Sequence, residues 1–302
     1  MAVFQKMAST QVLLFMYMLI GVLCNKTHII TKDTRKHFNN LLIYITLPAT
    51  VFSSFLNNIT SEEISQGGLM LLLSAGICIA SYGLSLLLWH NKSPNKKTTL
   101  QFSTVFSNAG NAGIPVASMV FGNLGTLMAS FFLIPIQVFI WTLGIALYMP
   151  KGNKHNIKKI LFNPCLISIV LGMLLFATNL KAPSFLVEGI RTLGNITGPL
   201  SMMIIGSTLA EIKPQNFFDK DSLLICFVRL LSIPLALVGI LQWISIPAPL
   251  WQIAVTLSAM PIAFLAAVFS ETHGKDHAFA SKCIFLSTLF SLVTVPLISL
   301  LF

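Results

Sequence analysis

Length, composition and charge place this chain among integral membrane proteins. Its 302 residues are 55% hydrophobic and only 9% charged, with a mean hydropathy of +0.82. Water cannot solvate most of such a chain, which excludes an ordinary soluble globular protein. The net charge of +10 does not indicate nucleic-acid binding, because Lys and Arg lie in short clusters between apolar runs rather than in a basic stripe interleaved with aromatic residues.

Ten apolar segments approach the roughly 20 residues that an α-helix needs to span a bilayer. The first begins almost at the N-terminus and is interpreted as a retained span rather than a removed signal peptide. In the first half, the predicted spans are residues 8–24, 39–56, 67–89, 100–122 and 124–148. In the second half, they are residues 163–180, 191–210, 222–243, 250–270 and 280–302. The connections are too short for a soluble domain, so the sequence predicts an all-α integral membrane protein.

The longest polar linker lies at the midpoint and divides the spans five and five. The predicted domains are a first five-helix repeat (1–149), a cytoplasmic linker (150–162) and a second five-helix repeat (163–302). Because five is odd, two such halves joined directly lie in the membrane with opposite orientations, as in inverted-repeat transporters. A weak internal similarity accompanies this arrangement, pairing the interval 21–48 with 172–199.

Basic residues distinguish the two sides of the predicted membrane protein. The linkers after spans one, three, five, seven and nine hold most of the Lys and Arg residues, whereas the opposite side holds Lys6, Lys181 and Arg191. Short loops rich in Lys and Arg face the cytoplasm. The sequence therefore predicts a multi-pass protein of the cytoplasmic membrane with both termini outside.

The stretch "FSNAGNAGIPVAS", residues 106–118, places poor helix formers in the middle of span four, and span nine contains "AMP" at a corresponding position. Proline lacks a backbone donor and disfavours helix in the residue before it, so Pro115 and Pro261 predict a break in each span. Irregular backbone at membrane depth must be buried in protein or line a cavity. Two broken helices in matching positions are the best indication of a transport site that a sequence gives.

Residues around the first break have the chemistry of an anion site. A half-helix that starts at a break presents unpaired N–H groups and a positive dipole end, which can hold a carboxylate. The side-chain amides of Asn108 and Asn111 can donate to an anion or accept from a hydroxyl, and Gly110 and Gly113 permit close approach of backbone or ligand. Small residues also serve helix packing alone, but the cost of two amides and a proline in mid-span favours a functional role.

Arg229 is the basic residue that lies clearly inside a predicted span. One interpretation is an electrostatic attractor for an anionic substrate. The other is a structural cation that carbonyl groups or Asp221 satisfy. The sequence leaves both open.

Several absences from the sequence restrict the function. No predicted span contains Asp or Glu near its middle, and the Walker A, HExxH and GxSxG motifs are missing. The sequence therefore predicts neither an ATP-driven pump nor an enzyme, and no catalytic residue, metal site or bound cofactor. Coupling to Na⁺, to H⁺ or to neither stays open.

At the level of motifs, the chain resembles the auxin efflux carrier family, which includes bacterial malate-permease-like transporters and the plant PIN exporters. The motifs are "YITLPATVF" in span two, "SNAGNAGIPVA" in span four, "GNITGPLSMMIIGSTLA" in span seven, "FVRLLSIPL" in span eight, "SAMPIAFLAAVFSETHGKD" in span nine and "STLFSLVTVPLISLL" in span ten. The resemblance implies ten transmembrane helices in two inverted repeats, with broken helices four and nine crossing beside the substrate site. The residues that map to this crossing are Asn108, Gly110, Asn111, Gly113, Pro115, Ala259, Met260 and Pro261.

The resemblance also implies a scaffold part that forms a homodimer and a transport part that moves in an elevator-like way. The long central loop of many plant exporters is missing, which favours a small organic acid over auxin. We therefore expect a secondary transporter of a small organic anion, malate-like or another carboxylate, with Arg229 as a further candidate for the site. The alternatives are a sodium-coupled symporter of a bulkier acid, similar to the bile acid symporters, and a receptor or regulatory subunit that keeps the fold without transport.

Overall fold

The computed structural model describes residues 2–56, 60–149, 164–178, 183–211 and 219–302. Within these ranges the regular structure is helical, apart from one isolated β-bridge. The all-α prediction is therefore confirmed for the described part of the chain. The predicted linker, 150–162, lies outside the described residues.

The helices are numbered here in chain order. In the first half they are α1 (Ala2–Lys26), α2 (Lys32–Leu41), α3 (Leu47–Ser54), α4 (Ser61–Leu88), α5 (Pro94–Val105), α6 (Ile114–Phe139) and α7 (Ile145–Tyr148). In the second half they are α8 (Pro164–Thr178), α9 (Ser184–Asn195), α10 (Thr197–Leu209), α11 (Lys220–Phe227), α12 (Ile233–Leu241), α13 (Ala248–Ser258), α14 (Leu265–Thr272) and α15 (His277–Ile298). The wider turns of a π-helix occupy Leu42–Thr46, Ala109–Gly113, Ile140–Gly144 and Val228–Ser232, and a 3₁₀ turn occupies Ser299–Leu301.

Among the residues that the structure describes, four helical stretches are long and apolar enough to cross a membrane. They are Glu62–Leu88, Ala109–Tyr148, Lys220–Leu241 and Ala278–Leu301. The second of these bends at Gly122, whose φ of +66° is in the left-handed region that glycine adopts without strain. Every one of the ten predicted spans contains helix, but the count of ten membrane crossings stays a prediction.

Proline explains where three of the π-helical segments occur, because each segment ends two residues before one. These prolines are Pro48, Pro115 and Pro234. Proline offers no N–H to the carbonyl four residues earlier, and its ring clashes with that carbonyl. A wider turn relieves this conflict and lets the helix continue. The break in predicted span four therefore lies at residues 106–108, before Pro115, and the helix passes through the proline itself.

The helices pack in two groups. The peripheral group comprises the described parts of 2–56 and 164–211, where α1 packs along α10, and α3 packs against α8 and α9. The crossing group comprises the described parts of 60–149 and 219–302, where α4 packs on α5 and α6, and α15 packs on α11 and α14. The two groups meet where α1, α3 and α10 contact the α6 and α15 regions.

Glycine brings α1 and α10 into backbone contact within the peripheral group. A Cβ atom added at Gly21 would lie 2.1 Å from the carbonyl oxygen of Met203, and one added at Gly206 would lie 1.9 Å from that of Met18. Neither position therefore has room for a side chain. This close approach is typical of small residues at membrane helix interfaces.

Candidate functional site

The breaks in the two interrupted helices pair with each other. The backbone N–H of Asn108 donates to the carbonyl of Pro261 at 2.7 Å, and the N–H of Ala263 donates to the carbonyl of Phe106 at 3.1 Å. The two irregular segments run antiparallel and form a short β-bridge. Each break thus supplies the hydrogen bonds that the other has lost, as buried backbone at membrane depth requires.

Serine hydroxyls satisfy further backbone groups of the crossing. Ser107 Oγ donates to the carbonyl of Leu257 at 3.0 Å, and the N–H of Ile262 donates to Ser287 Oγ at 3.1 Å. These bonds connect the first break to the end of α13 and the second break to α15. The irregular segments are therefore bonded to each other, to α13 and to α15.

Two buried asparagines at the crossing have side-chain amides without a protein partner. Asn108 is 5% exposed and Asn111 is 8% exposed. Within the part of the chain that the structure describes, neither side-chain amide forms a hydrogen bond. The amide atoms are not among the fully buried unpaired atoms of the described residues, so they stay accessible to small molecules. Water or a ligand can complete their hydrogen bonds.

Unpaired backbone donors lie next to these amides. Asn108 caps the π-helical start of the second half-helix, and its carbonyl accepts from the N–H groups of Ala112 and Gly113, both at 3.1 Å. The N–H groups of residues 109–111 precede this first bond, so the helix gives them no acceptor. They form the positive end of the half-helix dipole. Amides and backbone donors together offer several hydrogen-bond donors in one place.

Pro115 connects the crossing to the peripheral group. Because proline has no N–H, the carbonyl of Asn111, four residues earlier, lacks its usual helical donor. Ser201 of α10 supplies one instead, with an Oγ to carbonyl distance of 3.0 Å. A Cβ atom added at Gly198 of the same helix would lie 3.4 Å from Pro115 Cβ.

The two glycines predicted for the site have different surroundings. A Cβ atom at Gly113 would lie 2.8 Å from Leu257 Cδ2 and 3.2 Å from Met260 Cγ, so this glycine lets the half-helix approach the second break. A Cβ atom at Gly110 would lie 3.9 Å from the Leu133 side chain, which is ordinary contact. Gly113 is needed for packing at the crossing, whereas Gly110 leaves space beside it.

A small cleft lies between the crossing and the peripheral group. Its volume is about 20 Å³, roughly the room that one water molecule needs. The cleft is lined mainly by apolar side chains, with two hydroxyls from α15. The lining includes Met18, Ala112, Val116, Met202, Met260, Pro261, Thr288 and Ser291. Ala259 is fully buried at the same boundary.

Arg229 lies at the crossing but faces backbone carbonyls. Its side chain is 1% exposed, and Nη1 donates to the carbonyls of Thr104 at 2.9 Å and Val105 at 3.4 Å. Nη2 donates to the carbonyl of Ser258 at 2.6 Å. Asp221 pairs with two lysines of the crossing group instead. The partners of Arg229 are thus those that a structural cation would have.

The sequence did not indicate the hydroxyl groups that support the crossing, because serine is common in apolar segments and nothing in the pattern connects residues so far apart. These residues are Ser107, Ser201 and Ser287. Among the described residues, no group of three or more His, Cys, Asp or Glu side chains could hold a metal ion.

Comparison with known proteins identifies the family of this chain. A family model described as "Membrane transport protein" matches residues 7–299. An uncharacterized transporter from Methanothermobacter thermautotrophicus is 28% identical over 304 residues, covering 96% of this chain and 97% of the relative. The uncharacterized transporter MJ1031 of Methanocaldococcus jannaschii is 26% identical over 289 residues, covering 92% of this chain and 93% of the relative. Because the family model covers nearly the whole chain, the protein belongs to the membrane transport protein family, which is the auxin efflux carrier family that its motifs resemble.

Proposed function

We propose that this protein is a secondary transporter that moves a small organic anion, malate-like or another carboxylate, across the cytoplasmic membrane by alternating access. The observation that supports this most directly is the pair of buried, unpartnered amides of Asn108 and Asn111 beside the free N–H groups of a half-helix. All of these groups can donate to carboxylate oxygens. The anion site is therefore the crossing itself.

Helix ends supply the positive potential for such a site. A helix N-terminus is equivalent to about half a positive charge and contributes up to about 2 kcal/mol to a partly buried anion. The half-helix beginning at Ala109 and α14 both start at the crossing. Together their starts provide about one unit of positive charge. The bilayer interior thus gains an anion site without an additional Lys or Arg.

Helix contacts support ten crossings in two inverted repeats. In two inverted repeats, α1 of the first half corresponds to α8 of the second, and α3 corresponds to α10. The contact of α1 with α10 then has its equivalent in the contact of α8 with α3, and both contacts occur. In the same way, α4 corresponds to α11 and α6 to α15. The contact of α4 with α6 has its equivalent in the contact of α11 with α15, and both occur. The two breaks, which are each other's equivalents, pair directly. Such a pattern is typical of a pseudo-two-fold axis in the membrane plane.

The two helix groups fit an elevator-like movement. Arg35 pairs with Glu211 inside the peripheral group, whereas Asp219 pairs with Lys282 inside the crossing group. The boundary between the groups is mainly apolar and includes Met18, Met202 and Met260. Methionine is flexible and adapts to different packing arrangements. In this proposal the peripheral group is the stationary, dimer-forming part, and the crossing group moves with the substrate.

Thermal unfolding of the purified protein with added carboxylates tests the anion site, because a ligand that binds the folded state raises its apparent stability. We expect malate or another small carboxylate to raise the unfolding midpoint of the wild type. Asn111→Ala should remove most of this shift, and Asn111→Asp should remove all of it, because a second carboxylate repels the ligand. Repeating the titration with and without Na⁺, and at different pH values, tests whether Na⁺ or H⁺ binds together with the carboxylate.

Asn123→Ala is the matched control, since Asn123 is an exposed amide on α6 away from the crossing. It should leave the ligand shift unchanged. An equal loss of unliganded stability and ligand shift in Asn111→Ala would reduce Asn111 to a packing residue. A response to neutral or cationic solutes alone would contradict the anion assignment.

A further inference from the structure

Arg229 contacts the ends of both interrupted helices. Helix α5 ends at Val105 and helix α13 ends at Ser258. The last four carbonyls of any helix have no intrahelical donor, and in a membrane they must find one elsewhere. The guanidinium group donates to the carbonyls of Thr104 and Val105 at one end and of Ser258 at the other. One side chain therefore bonds carbonyls at both helix ends.

The charge of Arg229 matches that of its partners. Each helix C-terminus is equivalent to about half a negative charge, so the two ends together offset about one positive charge. Among the described residues, no carboxylate forms an ion pair with Arg229. Helix ends thus take the place of an acidic partner, which lowers the cost of burying a cation that is 1% exposed.

An arginine suits this position better than a lysine. Its planar guanidinium group has five donors in a fixed arrangement, so it can bond carbonyls of two separate chain segments at once. The side chain starts from the π-helical segment Val228–Ser232. Trp89 fixes one of the partners, because its Nε1 donates to Thr104 Oγ1 at 2.8 Å.

We propose that Arg229 is a positioning residue that holds the two interrupted helices together as one unit. The half-helix beginning at Ala109 and helix α14 lie on the other side of the two breaks. Arg229 keeps the distance between the starts of these two half-helices fixed. This part of the inference needs no substrate. The consequence for anion affinity rests on the proposed function, since fixed half-helix starts are what a carboxylate would bind.

Hydrogen exchange measured by mass spectrometry tests the link, because the N–H groups of Asn108 and Ala263 report directly on the paired breaks. In Arg229→Met, we expect protection of peptides covering 100–115 and 255–268 to fall together by about tenfold or more, since charged hydrogen bonds are lost at both helix ends. Arg35→Met is the matched control, because Arg35 is also buried but bonds Glu211 in the peripheral group. It should leave both peptides protected.

Arg229→Lys covers the case in which Arg229→Met does not fold. A compact ammonium group cannot reach both helix ends equally, so we expect one of the two peptides to lose more protection than the other. Unchanged protection of both peptides in Arg229→Lys, or loss in a single peptide in Arg229→Met, overturns the link between the helices.

Malate titration of the same variants tests the consequence for the site. We expect the dissociation constant to rise about tenfold or more in Arg229→Met, to recover in part in Arg229→Lys and to stay unchanged in Arg35→Met. An unchanged constant in a variant that has lost protection overturns the positioning of the site. If the wild type does not bind malate, the proposed substrate fails while the exchange data still decide whether Arg229 links the helices.

Discussion

At the scale of single residues, Asp219 shows how a charged side chain stabilises a helix start. Its Oδ1 accepts from the N–H groups of Asp221 at 3.0 Å and Ser222 at 3.1 Å, and its Oδ2 accepts from Lys282 at 2.5 Å. Partial burial by itself would raise the pKa of this carboxyl. The hydrogen bonds and the charge of Lys282 outweigh burial and lower the pKa below its ordinary value.

The lowered pKa of Asp219 predicts a pH-dependent contribution to stability. A carboxyl with a lowered pKa in the folded state stabilises the protein above its ordinary pKa of about 3.9, and this contribution is lost as the pH falls through the lowered value. We expect Asp219→Asn to lower the unfolding midpoint at neutral pH and to match the wild type at the acidic end. Thermal unfolding of both proteins between about pH 2 and pH 7 measures this. A difference that is the same at every pH would contradict it.

At the scale of elements, the contact between α1 and α10 depends on glycine. Any side chain at Gly206 would meet the backbone of Met18, and backbone cannot rotate away as a side chain can. The two helices would have to separate, and the packing of the whole peripheral group would change.

Gly206→Ala should therefore destabilise the protein by about 1–3 kcal/mol or more, the usual cost of overpacking. Gly239→Ala is the control, because a Cβ atom there meets nothing within 4 Å. In a helix this control should be neutral or slightly stabilising, by about 0.5–1 kcal/mol. Thermal unfolding in detergent compares the two. Similar midpoints for both variants would show that α1 and α10 pack less closely than described.

The sequence predicts the helices more accurately than the contacts between them. Apolar runs predicted helix correctly along the chain, because spanning length and hydropathy are local properties. Pro115 was expected to break its span, but a π-helical turn accommodates it and the break lies at 106–108. Asn108 and Asn111 were selected by their chemistry, whereas Ser201 and Ser287 were not. Their roles depend on which helix lies opposite, and one sequence does not contain that information.

At the scale of the whole molecule, the proposed transport requires the crossing group to move against the peripheral group. The contact between Pro115 and Gly198 spans this boundary, whereas the contact between Thr50 and Gly194 lies inside the peripheral group. A disulfide needs Cβ atoms about 3.5–4.5 Å apart. A Cβ atom at Gly198 would lie 3.4 Å from Pro115 Cβ, and one at Gly194 would lie 3.0 Å from Thr50 Cα. A cross-link at the first contact therefore tests movement between the two groups, and a cross-link at the second contact tests movement within the peripheral group.

We expect oxidation of the Pro115→Cys/Gly198→Cys double variant to stop uptake of the bound carboxylate into proteoliposomes, and reduction to restore it. Because the reduced and oxidised forms have the same sequence, the loss of Pro115 affects both equally. The Thr50→Cys/Gly194→Cys double variant should transport in both forms. Undiminished uptake by the fully oxidised first variant would contradict movement between the groups.

The pairing of the two breaks uses main-chain atoms. The bonds from Asn108 to Pro261 and from Ala263 to Phe106 join N–H and carbonyl groups that every residue except proline offers in full. Substitutions of the side chains that line the cleft therefore leave these bonds in place. In the proposed transporter, side chains such as Asn108 and Asn111 can therefore change the substrate while the paired breaks keep their backbone bonds.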